Sequence, residues 1–524
     1  MSNFKSPGQI QYATIDKYRE RDPSLVWRGK EPNEEDLLNA IGIAYLPKNR
    51  VQGFIKLSPH DFIVEEIRPN GKIVTIEPEK IEEVVPPKKG ETTLYCDLVK
   101  MNTVQTEATG TIAEKLGIPA KNVTFPGIKD KAAITSQRIG IQHAPIDAAT
   151  DPHLKDVYLK NFKWGTGKFY PGNLWGNRFT IFVRTPIQPD QDFILNSLAH
   201  IQMRGCYNFF HLQRFGNLRL VAHKVGIQIL KGNFDKAVLT MLAHKTPYEM
   251  RLIQKKRDQA LKDFPNMEKI EKSYAELPIS FRMELKYIRY LIKNPGDYIG
   301  ALKTEPKNTQ LSVQAYASYL FNLYITTNAR QRKRVPQELP LFPSSRREDE
   351  QYYGYWLRKH GLKNFLPNLQ KFPGYFSPKT HYRATRIKPK IHQAGIVPEG
   401  AIISFELPTG SYATTFLNNF FVLFSEDGVP RWVRREQYDI KATIGIGSVL
   451  DAIEELKKYE REIPPEVKEK QEKEEKEKEK EKEATEDPLV ERIIDQTQPV
   501  EEEPKEKIEE PQKESKPKKT KKKK

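Results

Sequence analysis

The pattern that most constrains this chain is a change of character near Gly216, reversed near Tyr382. Before Gly216, β-prone runs outnumber helical ones. Residues 53–67 open the series, and their second half mixes apolar and acidic side chains as a half-buried strand does. Residues 72–76, 92–99 and 178–184 read as further strands. Residues 106–116 read as a helix stopped by Gly117 and Pro119, and 193–203 as a second one with Ile194, Leu198 and Ile201 on one stripe. Several strands per helix indicate an α+β domain. From about Leu218 to Leu323 the chain is helix-rich and basic, with helical patterns at 234–242 and 283–292. A cluster from Arg330 to Arg334 then precedes Pro336, Pro340 and Pro343, and strand character returns at 382–387 and 402–407. A helical insertion in a discontinuous domain accounts for this order; three consecutive domains fit it equally. The division read from the sequence is 1–49 (N-terminal extension, polar, with one short helix at 34–43), 50–217, 218–380 (the helical unit), 381–458 with a C-terminal helix, and 459–524.

The last of these segments is dominated by Glu, Lys and Pro and has no sustained apolar face, so it is expected to be disordered. From Glu466 onward it holds 18 basic and 20 acidic residues, a net of −2, which leaves about +19 on the first 465 residues of a chain whose total is +17. The basic excess therefore belongs to the folded part. A surface this positive suits a polyanion, because each neutralised phosphate releases counterions. Cys96 and Cys206 make no disulfide framework, the N-terminus lacks a secretory signal, and no run approaches the roughly 18 apolar residues of a membrane span. These features predict a cytoplasmic, reduced protein with no membrane association and no obligate protein partner.

Two short runs carry the chemistry. In Phe125-Pro126-Gly127-Ile128-Lys129-Asp130-Lys131, a single carboxylate follows a glycine turn between two lysines and leads into a β-prone segment ending at Gln137. In Asn208-Phe209-Phe210-His211-Leu212-Gln213-Arg214-Phe215-Gly216, amides, aromatics and a guanidinium are interleaved. One by one these are ordinary turn and core residues. In chain order with Lys56-Leu57-Ser58-Pro59-His60-Asp61-Phe62, Ser312 to Asn322, and Leu407-Pro408-Thr409-Gly410-Ser411-Tyr412-Ala413-Thr414, they form five motifs over residues 53–424.

That set resembles the TruD family of pseudouridine synthases. The resemblance implies an α+β pseudouridine synthase catalytic domain, with a mixed and largely antiparallel sheet, carrying a helix-rich inserted TRUD domain. It implies isomerisation of uridine in tRNA, with uridine 13 of the D-arm as the leading target and other RNAs open. Asp130 takes the catalytic role, supported by Lys56, Asn208 and Phe210. Lys129, Gln137, Gln213 and Arg214 are expected to meet the RNA. Moving a base from an N- to a C-glycosidic bond needs no redox step, so neither cofactor nor metal is expected. It does need an ionised, water-shielded carboxylate with a cation beside it, and a surface to receive the flipped base. In an extended segment Phe210 would face that base while Phe209 turns to the core. The chain departs from the family pattern at His211 (usually Gly in bacterial members), at Phe209 (often Tyr), and at Asn418-Asn419 (usually an Arg-Glu pair).

Two other motif fragments fail. Around Trp164-Gly165-Thr166-Gly167-Lys168-Phe169, Phe162 occupies the first glycine position of a phosphate-binding loop and Phe169 the position of its Ser or Thr. Gly445-Ile446-Gly447 has Leu450 where a dinucleotide fingerprint needs its third glycine. Histidine and cysteine spacings fit no zinc site. The rival reading is a non-catalytic RNA-binding protein or RNA chaperone on the same scaffold, which would have no chemical need for Lys56, Asp130 and Asn208 together.

Overall fold

The computed structural model describes residues 6–30, 32–79, 84–145, 154–362, 364–376, 379–424 and 429–458. The tail expected to be disordered lies outside these residues.

Among the described residues, seven strands of the main sheet precede the helical unit: β1 (Val51–Phe54), β2 (Phe62–Ile67), β3 (Thr93–Met101), β4 (Val123–Thr124), β5 (Ile134–Gln142), β6 (Val157–Gly165) and β7 (Gly176–Arg184). The chain then runs through short β8 (Cys206–Tyr207), β9 (Glu338–Pro340), β10 (Tyr382–Ala384) and β11 (Arg386–Ile387) before β12 (Lys390–Val397), β13 (Gly400–Pro408) and β14 (Phe421–Phe424). The main sheet has ten strands in the order β12-β13-β7-β2-β5-β3-β6, with β1, β4 and β14 at its margins. The β2–β5 and β1–β14 pairs are parallel and the rest antiparallel. Because β12 and β13 return to the sheet built by β1–β7, the helical unit is an insertion and not a middle domain.

Strand alternation divides the core. Phe62 and Val64 of β2 face one apolar cluster with Phe179, Ile181 and Phe405, while Ile63 faces another with Ile134, Phe182 and Ile402. The helix Val449–Leu456 closes the second cluster with Val449, Ala452, Ile453 and Leu456, spaced as one helical face, and Ser448 caps it by accepting from the Asp451 N–H. Glu65, on that same face, is fully buried. Burial opposes its charge, but Lys441 at 2.8 Å and Arg178 at 2.6 Å hold its carboxyl below the usual range.

The expected strand at 72–76 is reduced to one bridge, Ile73 to Ile67. Gly71, at φ 82°, turns the chain back beside β2, where the Val74 N–H reaches the Glu66 carbonyl. The next ladder position fails because the Ile76 N–H donates to the Glu65 side chain, 3.0 Å away.

The insertion is built around the 25-residue helix Pro306–Arg330. Its companion Ala222–Lys231 crosses it at Gly226, where a Cβ would collide with the Ser312 carbonyl. The N-terminal extension is more ordered than its polar sequence suggests. It opens with α1 (Pro7–Arg21), started by a Ser6–Gln9 capping box, followed by α2 (Glu34–Ala40). Only Gly8, Gln11 and Ile15 of α1 are buried, so no apolar stripe marks it in the sequence. Gln11 Oε1 accepts from the Ile279 and Ser280 N–H groups at 3.0 and 2.9 Å. Farther along, Glu34 pairs with Arg50 and accepts from the Leu423 N–H, so the extension straps the insertion to the sheet.

Asn322 sits where these parts meet. It is fully buried; its Oδ1 accepts from the Phe210 N–H at 2.9 Å, and its Nδ2 donates to the Phe210 and Ile41 carbonyls, both at 2.9 Å. Asn322→Ala leaves three buried backbone groups without this partner. We expect a loss of about 2–4 kcal/mol in urea unfolding; a change under about 1 kcal/mol would mean that water replaces the amide.

Candidate active site

Asp130 lies on the segment linking β4 to β5, which ends where β5 enters the sheet between β2 and β3. The segment is fixed from several sides. The Gly172 N–H donates to the Pro126 carbonyl at 2.8 Å, and the Asn102 N–H to the Ala133 carbonyl at 3.2 Å. Ile128 stands out into solvent at 79% exposure. Lys129 turns inward and forms a buried ion pair with Glu66 at 2.9 Å. Glu66 shares its sheet face with Val64; burial raises its carboxyl above the usual range despite Lys129.

The next side chain, Asp130, remains 33% exposed and meets Lys56 Nζ at 2.9 Å. Lys56 follows β1 with φ 61°, a left-handed conformation that costs a non-glycine residue roughly 1–2 kcal/mol. Its ammonium also lies 4.5 Å from the centre of the Phe62 ring. A strained backbone, an apolar wall and an ion pair thus place one cation on one carboxylate at the mouth of the sheet. Asp61 of the same motif has a different task. It receives two parallel bonds from Arg184, at 2.9 and 2.8 Å, and bolts the turn before β2 to the end of β7.

Asn208 and Phe210 form a second group, at the hinge between sheet and insertion. The Arg383 guanidinium lies 3.8 Å from the centre of the Phe210 ring and donates to Asn208 Oδ1 at 3.0 Å. Asn208 Nδ2 donates to the Ala384 carbonyl. Burial lowers the Arg383 pKa to about 10. Arg214 approaches the same ring at 5.4 Å and donates to Gln314, while Gln213 is exposed. The closing motif joins the two groups. Thr409 bonds the Trp175 carbonyl through its N–H at 2.9 Å and its hydroxyl at 2.7 Å, on the loop whose Leu174 packs beside Gly127. Gly410 lies beside the Arg383 guanidinium.

Three sequence expectations need correction. Lys129 and Gln137 do not face the surface: Lys129 is spent on Glu66, and Gln137 sits on β5, a central strand buried from Ile134 to Ile141. Phe209 and Phe210 do not point to opposite environments. Both rings are buried in the cluster that joins sheet, insertion and N-terminal extension, because core lies on both sides of the segment. Arg383 and Lys100 were missed. Arg383 carried no signal, since an arginine in a strand-like run is ordinary. Lys100 did: a lysine between Val99 and Met101 in an apolar strand has to find buried acceptors. It finds the carbonyls of Asp130 at 2.7 Å and Thr103 at 2.8 Å.

Lys129→Met isolates the Glu66 carboxyl inside the protein. We expect about 3 kcal/mol of destabilisation in urea unfolding, with no weakening of RNA affinity in the folded protein. A fall in affinity at unchanged stability would restore Lys129 to the surface role.

The family model for tRNA pseudouridine synthase D (TruD) matches residues 41–341, from just after α2 to just after β9. A "Probable tRNA pseudouridine synthase D 1" from Methanocaldococcus jannaschii is 31% identical over 281 residues, 53% of this chain and 69% of that protein. A "Probable tRNA pseudouridine synthase D" from Methanosarcina barkeri is 32% identical over 252 residues, 47% of this chain and 57% of its own length. The crystal structure of a TruD protein from Methanosarcina mazei superposes with a TM-score of 0.58 at 26% identity, covering 74% of this chain and 98% of that one. The chain belongs to the TruD family of tRNA pseudouridine synthases.

Proposed function

We propose that this protein isomerises uridine to pseudouridine in tRNA, with uridine 13 of the D-arm as the target, and that Asp130 is the group that acts on the nucleotide. The observation that carries this reading is the Lys56–Asp130 pair: the ammonium is buried, and the carboxylate is open to a substrate. In the reaction the bond from uracil N1 to C1′ breaks, the base turns, and a bond from C5 to C1′ forms. The proton lost from C5 is balanced by the one gained at N1, so no external reductant or oxidant enters. Asp130 serves either by attacking the sugar carbon or by abstracting a proton. In both cases Lys56 keeps the carboxylate charged while the RNA excludes water.

The flipped base needs a receiving surface, and Phe210 with Asn208 fills that role in this reading. Because the Arg383 guanidinium now covers the Phe210 ring, a base stacking there displaces it or stacks upon it. Gln213 and Arg214, at the edge of the same hinge, contact the RNA backbone. The folded part's positive charge supplies non-specific affinity.

The test is pseudouridine mapping, by carbodiimide adduct and primer extension, on unmodified tRNA. Wild type is expected to give one stop in the D-arm. Asp130→Asn is expected to give none, with tRNA affinity within about threefold of wild type. Tight binding without a stop for wild type on any RNA would turn the case to a non-catalytic binder. Phe210→Leu keeps most of the buried volume but removes the ring. Loss of roughly 1–3 kcal/mol of stacking predicts turnover about ten- to a hundredfold slower with little change in affinity. Equal losses in rate and affinity would make Phe210 a binding platform and nothing more.

A further inference from the structure

Lys100 is the one lysine in the apolar run of β3 from Leu98 to Met101, and its residue is almost completely buried. In the sheet register it lies opposite Thr135 of β5 and Val157 of β6, so neither neighbouring strand brings a counter-ion to it at that level. Its Nζ instead lies 2.7 Å from the backbone carbonyl of Asp130 and 2.8 Å from that of Thr103. A buried ammonium satisfied by main-chain carbonyls is an expensive way to hold a loop, and an apolar side chain would pack there at lower cost. The feature asks for a reason beyond stability.

We propose that Lys100 is a positioning residue for the reaction: it clamps the main chain of Asp130 from inside the sheet while Lys56 holds the carboxylate from outside. This rests on the assignment of Asp130 above and adds a residue that the assignment does not need. The carboxylate hangs from a segment without regular structure, and its own carbonyl is the atom that Lys100 grips. With that grip the side chain pivots about a fixed point. Without it, the residue held by the Lys129–Glu66 pair is one position too early to fix Asp130 itself. A displacement of about 1 Å at a reacting group costs on the order of a hundredfold in rate.

The charged groups facing Lys100 are Asp130, which favours its protonated form, and Lys129, which opposes it. Burial outweighs the attraction and lowers the Lys100 pKa to about 8. The ammonium is therefore complete below that pH and lost above it, and the clamp weakens in the same range.

The experiment compares Lys100→Met and Lys100→Arg with wild type in single-turnover assays on unmodified tRNA, with affinity measured in parallel by filter binding. Lys100→Met is nearly isosteric and removes the donor. It is expected to slow the chemical step on the order of a hundredfold while the Kd for tRNA stays within about threefold. Lys100→Arg keeps a permanent charge. It is expected to recover at least a tenth of the wild-type rate and to lack the fall in rate expected of wild type above about pH 8. A Lys100→Met rate within threefold of wild type overturns the proposal, as does a rate loss matched by an equal loss of affinity. If Lys100→Met does not fold, the Lys100→Arg profile decides: a limb near pH 8 unchanged from wild type rejects the clamp. Should wild type itself form no pseudouridine, the assignment of Asp130 fails and not the clamp alone.

Discussion

The Lys56–Asp130 ion pair, a buried ammonium set on a partly exposed carboxylate, sets the terms for much of this structure. To deliver an ammonium there, the chain accepts a left-handed lysine directly after β1. That strand is short and marginal to the sheet. It is held by parallel pairing with β14, near the end of the described chain, and by one register position on β7. The segments before and after the insertion are thus both required to place one side chain. Separating them in sequence by the helical unit does not weaken the site, because β13 runs antiparallel to β7 along its whole length.

The sheet face beneath this pair changes from apolar to polar along a single row. Phe405, Phe179 and Val64 lie side by side in register, followed by Thr135 and then Lys100. One step along, Glu66 stands opposite Asn177. The polar end of the row lies beneath the Asp130 segment, where Lys129 and Lys100 reach up from or down into the sheet. Two buried lysines and one buried glutamate in so small a volume are costly without complete partners. Their partners are specific backbone carbonyls and one carboxylate, which leaves the Asp130 segment few alternative conformations. The same polarity that defines the chemistry also specifies the loop.

Much of this was legible in the sequence, and what was not has identifiable causes. The long strands β3 and β7 show as β-prone runs because both of their faces are buried, whereas β5 carries Thr135, Ser136, Gln137 and Arg138 in its buried middle and shows less clearly. The Lys56 and Asp130 motifs show because their residue types serve one purpose at fixed spacing. The strand expected at 72–76 failed because a side chain, Glu65, takes the N–H that a ladder would need. Helix α1 was hidden because its contact with the insertion relies on a buried glutamine, Gln11, and not on an apolar stripe. Lys129 and Gln137 sit beside the catalytic motif in sequence, yet adjacency along a strand says nothing of which side chains reach the surface. For Gln137 the register, with β5 enclosed between β2 and β3, reveals the burial; for Lys129, on the segment before β5, the ion pair with Glu66 does.

The departures from the family pattern acquire a physical meaning at the hinge. His211 and Asn418 lie far apart in sequence and both depart from the residues common elsewhere in the family. Here they are buried together, with His211 Nε2 and Asn418 Nδ2 3.3 Å apart. Burial lowers the His211 pKa to about 4, so the imidazole is neutral at physiological pH and can accept from the amide. A neutral amide–imidazole contact therefore joins two positions at which the sequence departs from the family motifs it resembles. The exchange is local, since Thr415 still ties the neighbouring Phe209 carbonyl and Asn322 still holds both backbone groups of Phe210. The hinge can thus vary its side chains while the Phe210 backbone and the Asp130 segment keep their places.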